Sequence, residues 1–178
     1  MEPLRYNIIQ GTEMLPKIMI LSDIHGGYYN LDRALAYYEK EKFERLFVLG
    51  DLFGYSFDET DDEILKRLRE VQNSVIVRGN CDGWLDCEDI RELVIDGKRI
   101  TLTHGHRYTL MSLLRTDADI ICVGHSHIPV IREYAGKLII NPGSVARSRS
   151  GPESFATIED GFVRIRSLDY DVLEEWKI

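Results

Sequence analysis

A chain of 178 residues, 44% of them hydrophobic and 29% charged, has the length and balance of one folded domain. Its formal net charge of -8 gives no electrostatic help in binding DNA or RNA, because phosphate binding depends on lysine and arginine. The three cysteines form no CxxC pair, which argues against a structural zinc site or a disulfide framework and favours a reducing cytoplasm.

The first sixteen residues contain no basic segment followed by an apolar run, so they do not resemble a signal peptide. No apolar run in the chain approaches the length needed to cross a bilayer. We therefore expect an N-terminal extension at residues 1–16 and a single domain at residues 17–178, with no membrane contact.

The first half of the chain alternates between apolar runs and helical patterns. Apolar runs within residues 17–23, 45–51 and 74–80 end in polar residues or glycine, as buried strands do. The spacing of apolar residues predicts a helix after each of the first two runs. We expect Asn30 to cap the first helix and Thr60 to begin the second.

The second half of the chain has the pattern of antiparallel strands. Three hairpins are predicted, with turns at residues 96–97, 135–136 and 160–161. A short helix is expected at 110–114, and another buried strand within 118–123. Alternating strands and helices followed by antiparallel strands predict a layered α/β (α+β) domain.

Polar side chains cluster where the predicted strands end. The stretches are SDIHG, GD at 50–51, GNCD, THGH and GHSH, and together they contain all five histidines. Each stretch alone fits an ordinary turn, but loops at strand ends also position catalytic groups on a rigid scaffold. Five of them at successive strand ends predict a dinuclear metal site. Imidazole and carboxylate ligands suit Mn, Fe, Zn or Ni.

The order D-x-H, G-D, G-N-x-D, H-G-H, G-H-x-H, running from residue 17 to NPGS at 141–144, resembles the calcineurin-like metallophosphoesterase family. The small size and GNCD in place of GNH are similar to the small YfcE-like phosphodiesterase branch. The resemblance implies a β-sandwich of two mixed sheets flanked by helices (αββα), with the site at the strand ends.

The same resemblance implies two divalent transition-metal ions, Mn before Ni, Fe or Zn, held by seven side chains. The first ion would be bound by Asp23, His25 and His127. The second would be bound by Asn80, His104 and His125. Asp51 would bridge the two ions. The catalytic roles would be carried by Asp51, Asn80 and His104.

Cys81 occupies the position where the larger family has a histidine that donates a proton to the leaving group. A thiol, with a pKa of ~8.5, is a poor match for a histidine with a pKa of ~6.5 in that role. The alternative is that Cys81 is a small, partly buried hydrophobic residue.

Two further residues are candidates for the substrate side of the site. His106 either faces the substrate or supports a metal ligand. Arg147 follows NPGS and either contacts a substrate phosphate or is a solvated arginine.

Five aromatic residues follow the motif loops and either form a pocket wall or belong to an ordinary rim. They are Tyr28, Tyr29, Tyr55, Phe57 and Trp84.

The predicted function is metal-dependent hydrolysis of a small or nucleotide-like phosphodiester by a hydroxide that bridges the two metals. One alternative is a non-catalytic protein-binding scaffold, like a retromer subunit of similar fold that has lost ligands. Another is a nucleotide or dinucleoside-polyphosphate hydrolase. The acidic charge counts against a nuclease that acts on duplex DNA. The relatives also suggest a homo-oligomer.

Overall fold

The computed structural model describes residues 14–54 and 60–178. Within these ranges, eleven strands form two sheets and three helices lie on their outer faces. The strands are β1 (Ile18–Leu21), β2 (Arg45–Val48), β3 (Ser74–Ile76), β4 (Ile90–Ile95), β5 (Lys98–Thr103), β6 (Ile120–Val123), β7 (Val130–Tyr134), β8 (Lys137–Asn141), β9 (Ser154–Glu159), β10 (Phe162–Ser167) and β11 (Val172–Lys177). The helices are α1 (Tyr28–Glu41), α2 (Thr60–Glu70) and α3 (Leu110–Leu113).

Both sheets contain parallel and antiparallel neighbours, which confirms the predicted pair of mixed sheets. The six-stranded sheet has the order β11-β10-β9-β1-β2-β3, in which β1, β2 and β3 run parallel. The five-stranded sheet has the order β4-β5-β6-β8-β7, in which β5, β6 and β8 run parallel. Parallel strands end at the same edge of their sheet, so the loops after β1, β2 and β3 lie side by side.

The two sheets pack face to face because their strands present apolar residues to both sides. In β1, Ile18 and Ile20 lie in the core between the sheets, while Met19 and Leu21 lie in the core beneath α1 and α2. A strand that is buried on both faces reads as a continuous apolar run, as β1 does. On the other side of the molecule, α3 packs Leu113 against the outer face of the five-stranded sheet. The layers are therefore αββα.

The first helix begins earlier than the sequence predicted. α1 starts at Tyr28, directly after Gly27, so the prediction that Asn30 caps this helix was wrong. Asn30 lies inside the first turn, and its side-chain amide donates a 2.9 Å hydrogen bond to the carbonyl oxygen of Val145. The helix can start at Tyr28 because Gly26, with a φ of 77°, lets the chain turn sharply after the first strand.

The three predicted hairpins are all present. The turn residues at 96–97, 135–136 and 160–161 all have positive φ, the conformation that two-residue hairpins with right-handed twist require. The last strand, β11, was not predicted, and all of its residues are exposed at the edge of the six-stranded sheet.

Two sequence predictions lie partly or wholly outside the described residues. Of the N-terminal extension, only residues 14–16 are described, and Leu15 packs against the core between the sheets. Tyr55 and Phe57, proposed as pocket-wall residues, are not among the described residues. The longest described helix is α1, with 14 residues, and no described helix is long and apolar enough to cross a membrane.

Candidate metal centre

All seven candidate metal ligands lie in loops at the same edge of the sandwich. Asp23 and His25 follow β1, Asp51 follows β2 and Asn80 follows β3, so these four belong to the six-stranded sheet. The other three, His104 after β5 and His125 and His127 after β6, belong to the five-stranded sheet. The structure thus brings together the side chains that the sequence had predicted as ligands.

Five of these seven residues have the left-handed backbone conformation that usually favours glycine. Their φ angles are 55° for Asp23, 47° for His25, 52° for Asp51, 66° for His125 and 59° for His127. Such a residue costs about 1–3 kcal/mol and persists only where its surroundings hold it, which is most often at a functional site.

Glycines allow the loops to approach each other closely. A Cβ atom on Gly79 would collide with the backbone nitrogen and the carboxylate of Asp51. A Cβ atom on Gly124 would collide with the hydroxyl oxygen of Ser22. The glycine of GNCD is therefore needed where the loops of two neighbouring strands, β2 and β3, touch, and that of GHSH where loops from the two different sheets touch.

The carboxylate of Asp23 faces three imidazole rings. Its Oδ1 atom lies 3.2 Å from Nε2 of His127, 3.8 Å from Nε2 of His25 and 3.9 Å from Nε2 of His104. The Nε2 atoms of His25 and His127 are themselves only 3.3 Å apart. Asp23 is fully buried, and its Oδ1 accepts no hydrogen bond from any described residue.

Asp51 lies between the two predicted groups of ligands. Its Oδ2 atom is 3.6 Å from Nε2 of His25 and 3.3 Å from Nε2 of His104. The Oδ1 atom of Asn80 lies 3.1 Å from the same nitrogen of His104. Asp51 therefore lies beside histidines of both predicted groups, at shorter distances than Asp23 does from His25 and His104.

Hydrogen bonds orient two of the histidines with Nε2 toward the carboxylates. Nδ1 of His104 donates to the carbonyl oxygen of Leu49 at 2.7 Å, and Nδ1 of His127 donates to that of Arg147 at 2.7 Å. A neutral imidazole that donates through Nδ1 keeps a lone pair on Nε2. Backbone carbonyls at this place are the usual partners of a histidine that binds metal.

Asp82 and two serines form hydrogen bonds with the candidate ligands and their loops, and the sequence gave little indication of these contacts. Oδ2 of Asp82 accepts from the backbone N–H groups of Asp51 at 2.7 Å and Gly79 at 2.8 Å. Ser22 donates to Oδ2 of Asp23 at 2.7 Å, and Ser144 donates to the Asp23 carbonyl at 2.8 Å. Neither serine was predicted to have a role, although Ser22 lies in SDIHG and Ser144 in NPGS.

Burial and neighbouring charges shift the pKa values of three candidate ligands. Burial alone would raise the pKa of Asp51, but its hydrogen bond and charge interaction with His104 lower that pKa to about 2. Burial opposes protonation of His104, yet Asp51 and Asp23 raise the pKa of that imidazole above its ordinary value. For His25, burial outweighs the same carboxylates and lowers the pKa.

The donor set fits divalent transition-metal ions. Carboxylate oxygens, imidazole nitrogens and an amide oxygen are ligands that Mn, Fe, Zn and Ni accept. A buried carboxylate oxygen without a hydrogen bond, like Oδ1 of Asp23, is costly unless a cation or another donor compensates it. His125 and Asn80 are exposed, unlike the other five candidates, and the ring of His125 is edge-on to that of His104 at 5.1 Å between centroids.

The three substrate-side candidates all border the metal ligands. The Cys81 sulfur lies within 4.8 Å of donor atoms of His25 and Asp51. Burial and the negative charge of Asp51 raise the pKa of this thiol to about 12. The His106 ring centroid is 5.4 Å from that of His104. Arg147 is exposed.

The aromatic candidates differ in their surroundings. Trp84 is 52% exposed and stacks on the buried ring of Phe53 at 4.4 Å between centroids. Tyr29 is 74% exposed near the start of α1, whereas Tyr28 is partly buried against the core beneath that helix. Trp84 and Tyr29 are therefore accessible from solvent, and Tyr28 is in part a core residue.

Known proteins are similar to this chain in sequence and in fold. A family model described as the calcineurin-like phosphoesterase superfamily domain matches residues 17–160. Phosphodiesterase YfcE of Escherichia coli is 29% identical over 170 aligned residues, which cover 86% of this chain and 92% of that protein. The probable metallophosphoesterase YsnB of Bacillus subtilis is 32% identical over 163 residues, which cover 85% and 90%.

The structure of E. coli YfcE superimposes with a TM-score of 0.81 and 26% identity, covering 91% of this chain and 99% of that one. Vacuolar protein sorting 29 from Cryptosporidium parvum has a TM-score of 0.69 at 22% identity, covering 93% of this chain and all of that one, and shares the fold alone. The chain belongs to the calcineurin-like phosphoesterase superfamily. It is a phosphoesterase with side chains able to bind metal, and the family resemblance deduced from its motifs is confirmed.

Proposed function

We propose that the protein is a dinuclear-metal phosphodiesterase that hydrolyses a small or nucleotide-like diester. The observation that carries this proposal is the position of Asp51. Its Oδ2 atom lies within 3.6 Å of an Nε2 atom from each of the two ligand groups. The printed name of YfcE, a phosphodiesterase similar over most of both chains, supports the reaction class.

The residues that would hold the ions are those predicted from the sequence. Asp23, His25 and His127 would hold one ion. Asn80, His104 and His125 would hold the other. Asp51 would contact both ions. When bound, such cations act as Lewis acids on phosphate oxygens and make hydroxide available near neutral pH. We propose Mn²⁺ as the ion, with Ni, Fe or Zn as alternatives, because the set contains no thiolate.

The chain's own residues would orient the ligands and limit proton transfer. Among the proposed catalytic residues, Asp51 would contact both ions, and Asn80 and His104 would bind one of them. Cys81 would be a weak proton donor, since its pKa lies far above neutrality. The enzyme should therefore prefer esters whose leaving group can depart without being protonated, such as aryl esters. His106 would border the substrate beside His104.

The first test is hydrolysis of bis(p-nitrophenyl) phosphate beside p-nitrophenyl phosphate, after chelation and again after addition of Mn²⁺. We expect Mn²⁺-dependent turnover, faster for the diester and lost in Asp51→Asn. Faster turnover of the monoester, or of a dinucleoside polyphosphate, would favour the hydrolase alternative. No turnover and no bound metal would contradict the proposal and favour a protein-binding scaffold.

The scaffold alternative has one supporting observation, the fold shared with vacuolar protein sorting 29. A solved structure of that protein from Entamoeba histolytica, 21% identical to this chain, is described as a complex with Zn²⁺. Bound metal alone would therefore not exclude a scaffold. Hydrolysis of a phosphodiester must decide between an enzyme and a protein-binding scaffold.

We further infer a cytoplasmic location and a homo-oligomeric state. The three cysteines form no disulfide with one another, which suits a reducing compartment. The edge strand β11 exposes Val172, Leu173 and Trp176, and an apolar sheet edge is a common site of association. Sedimentation of the purified chain would test the oligomeric state.

A further inference from the structure

Cys81 is held beside the carboxylate of Asp51 by its own backbone and by its thiol. Its N–H donates a 2.8 Å hydrogen bond to Oδ1 of Asp51. The thiol forms a hydrogen bond with the same carboxylate, and the negative charges of Asp82 and Asp23 also act on it. On its other side, the side-chain amide of Asn80 donates to the sulfur at 3.4 Å. The sulfur therefore lies between two of the candidate metal ligands.

The Cys81 sulfur belongs to a group of atoms that can bind one metal ion. The sulfur, a ring nitrogen of His25 and a carboxylate oxygen of Asp51 all lie within 4.8 Å of one another. Ligands of a tetrahedral zinc site are ~3.5 Å apart, because Zn–N and Zn–S distances are about 2.0–2.3 Å. Nε2 of His25 and Oδ2 of Asp51 already have that separation, at 3.6 Å. The sulfur completes the group after a shift of roughly 1 Å.

The surroundings of Cys81 differ from those of the other two cysteines. Within residues 14–54 and 60–178, Cys81 is the one cysteine in a group of imidazole and carboxylate donors that could hold an ion. Cys87, in the same loop, packs against the core beneath α1 and α2. Cys122 is fully buried in the core between the sheets. The chain thus places one sulfur, and not the other two, where an ion could reach it.

The kind of ion decides whether this sulfur takes part in binding. Thiolates bind soft and borderline ions such as Cd²⁺ and Zn²⁺, whereas Mn²⁺ prefers carboxylate and other oxygen ligands. Burial and the charge of Asp51 raise the pKa of the Cys81 thiol to about 12, so the sulfur carries a proton before an ion arrives. On binding, the S–H bond breaks, the sulfur electron pair forms the bond to the ion, and the proton passes to solvent.

We propose that Cys81 binds thiophilic ions such as Zn²⁺ and Cd²⁺ as a thiolate, together with His25 and Asp51, and remains a thiol when Mn²⁺ is bound. The proposal rests on the proposed function, because it shares two ligands with that centre. Cys81 then determines which ions give an active enzyme. A catalytic ion keeps one position for water or substrate, and a sulfur ligand would occupy such a position. Thiophilic ions bound through Cys81 should therefore inhibit hydrolysis.

The test uses Cd²⁺, because a cadmium–thiolate bond has an ultraviolet charge-transfer absorption that Cd²⁺ bound only to oxygen and nitrogen lacks. The chelated full chain is titrated with Cd²⁺ as the wild type, Cys81→Ser, Cys87→Ser and Asp51→Asn. Serine at position 81 keeps a hydroxyl that can donate to Asp51, and Cys87→Ser is the matched control from the same loop. Calorimetry measures the Cd²⁺ and Mn²⁺ affinities of the same proteins.

We expect the charge-transfer band in the wild type and in Cys87→Ser, and its loss in Cys81→Ser. Cd²⁺ affinity should fall at least about tenfold in Cys81→Ser, since a metal site loses that much even when a partner outside the ligands is removed. Mn²⁺ affinity should change much less. Asp51→Asn should raise the Cd²⁺ concentration at which the band appears.

Four outcomes would overturn the proposal. They are the absence of the band in the wild type, a band that survives Cys81→Ser, a band that appears at the same Cd²⁺ concentration in Asp51→Asn, and an equal loss of Cd²⁺ and Mn²⁺ affinity in Cys81→Ser. The last of these would assign Cys81 a purely structural role in holding the loop against Asp51.

The absorption titration does not depend on turnover, so it separates this proposal from the proposed function. If the band depends on Cys81 but no diester is hydrolysed, the phosphodiesterase proposal fails and the thiolate ligand stands. If Mn²⁺-dependent hydrolysis occurs but Cd²⁺ gives no band, the thiolate ligand alone fails. In an active enzyme, Cd²⁺ should inhibit the Mn²⁺-loaded wild type at lower concentrations than Cys81→Ser, and equal inhibition would overturn the role in ion selection.

Discussion

The backbone N–H of Asp51 donates a 2.7 Å hydrogen bond to Oδ2 of the fully buried Asp82. Asp82 belongs to the loop after β3, and Asp51 to the loop after β2, so one carboxylate joins two of the loops that form the candidate metal centre. Oδ1 of Asp82 also accepts from the backbone N–H of Leu52 at 2.9 Å. The position of the proposed bridging residue thus depends on a neighbour whose carboxylate accepts hydrogen bonds from backbone N–H groups and is not itself a proposed metal ligand.

Asp82→Asn should destabilise the protein and weaken metal binding. An amide NH₂ in place of Oδ2 would face the N–H groups of Asp51 and Gly79, and each buried donor left without an acceptor costs about 1–3 kcal/mol. Urea unfolding and Mn²⁺ titration by calorimetry would measure both effects. Asp86→Asn, an exposed change in the same loop, is the control. Equal stability of the two variants would contradict this role for Asp82.

Gly79→Ala should disrupt the site more than its small size suggests. The added methyl group would collide with the backbone and carboxylate of Asp51, so the two loops would have to separate. We expect loss of Mn²⁺-dependent diester hydrolysis and a lower melting temperature. Gly83→Ala is a matched control, because its added Cβ would meet no atom within 4 Å and its φ is not positive. If both variants are equally active, close contact at Gly79 does not matter.

Cys81→His should accelerate hydrolysis of esters with alkyl leaving groups. Burial and the charge of Asp51 raise the pKa of the thiol to about 12, so it is a weak acid at neutral pH. An imidazolium at this position would protonate a departing alkoxide, and a positioned general acid contributes about a hundredfold or more. The rate for a p-nitrophenyl leaving group should change little. Parallel kcat measurements on methyl p-nitrophenyl phosphate and dimethyl phosphate would test this, and Cys81→Ser should leave the alkyl ester slow.

Glu159 should make the stability depend on acid pH. Burial alone would raise the pKa of this carboxyl, but hydrogen bonds from Arg166 and Thr157 and the charge of Arg164 hold it below its ordinary value. A group whose pKa is lower in the folded state stabilises the protein above its unfolded pKa of about 4.3 and loses that effect as the pH falls through the folded pKa.

Glu159→Gln should therefore lower the urea midpoint at pH 7, and the difference from the wild type should shrink as the pH is lowered below about 4.3. Glu174→Gln, an exposed change on the edge strand, should leave the midpoint unchanged at both pH values. A difference between Glu159→Gln and the wild type that stays constant with pH would assign the loss to packing rather than to charge.

The sequence predicted the parts of the fold that depend on local signals. Apolar runs marked β1 and β2, Asp96-Gly97 marked a hairpin, and the polar residues at the strand ends marked the site. These signals act over a few residues, so they can be read without knowing the fold. The edge strand β11 was missed because its two glutamates and its exposed apolar residues give no alternation.

Contacts between distant loops could not be predicted. Asn30 was expected to cap a helix, since its type and position fit, but it instead bonds to Val145, 115 residues later in the chain. The hydrogen bond from Ser144 to the carbonyl of Asp23 joins residues 121 positions apart. Neither pairing leaves a trace in the local sequence, because both depend on how the two sheets are stacked.

The candidate ligands come from both sheets, four from the loops after β1, β2 and β3 and three from those after β5 and β6. A cation held between them is therefore a cross-link between the two layers, in the sense that a disulfide links two segments. Whatever binds only the assembled layers adds its binding free energy to the free energy of unfolding. Bound metal would then stabilise the packing between the two sheets most at the edge that carries the candidate metal centre. Amide hydrogen exchange in the two sheets would slow together when metal is added.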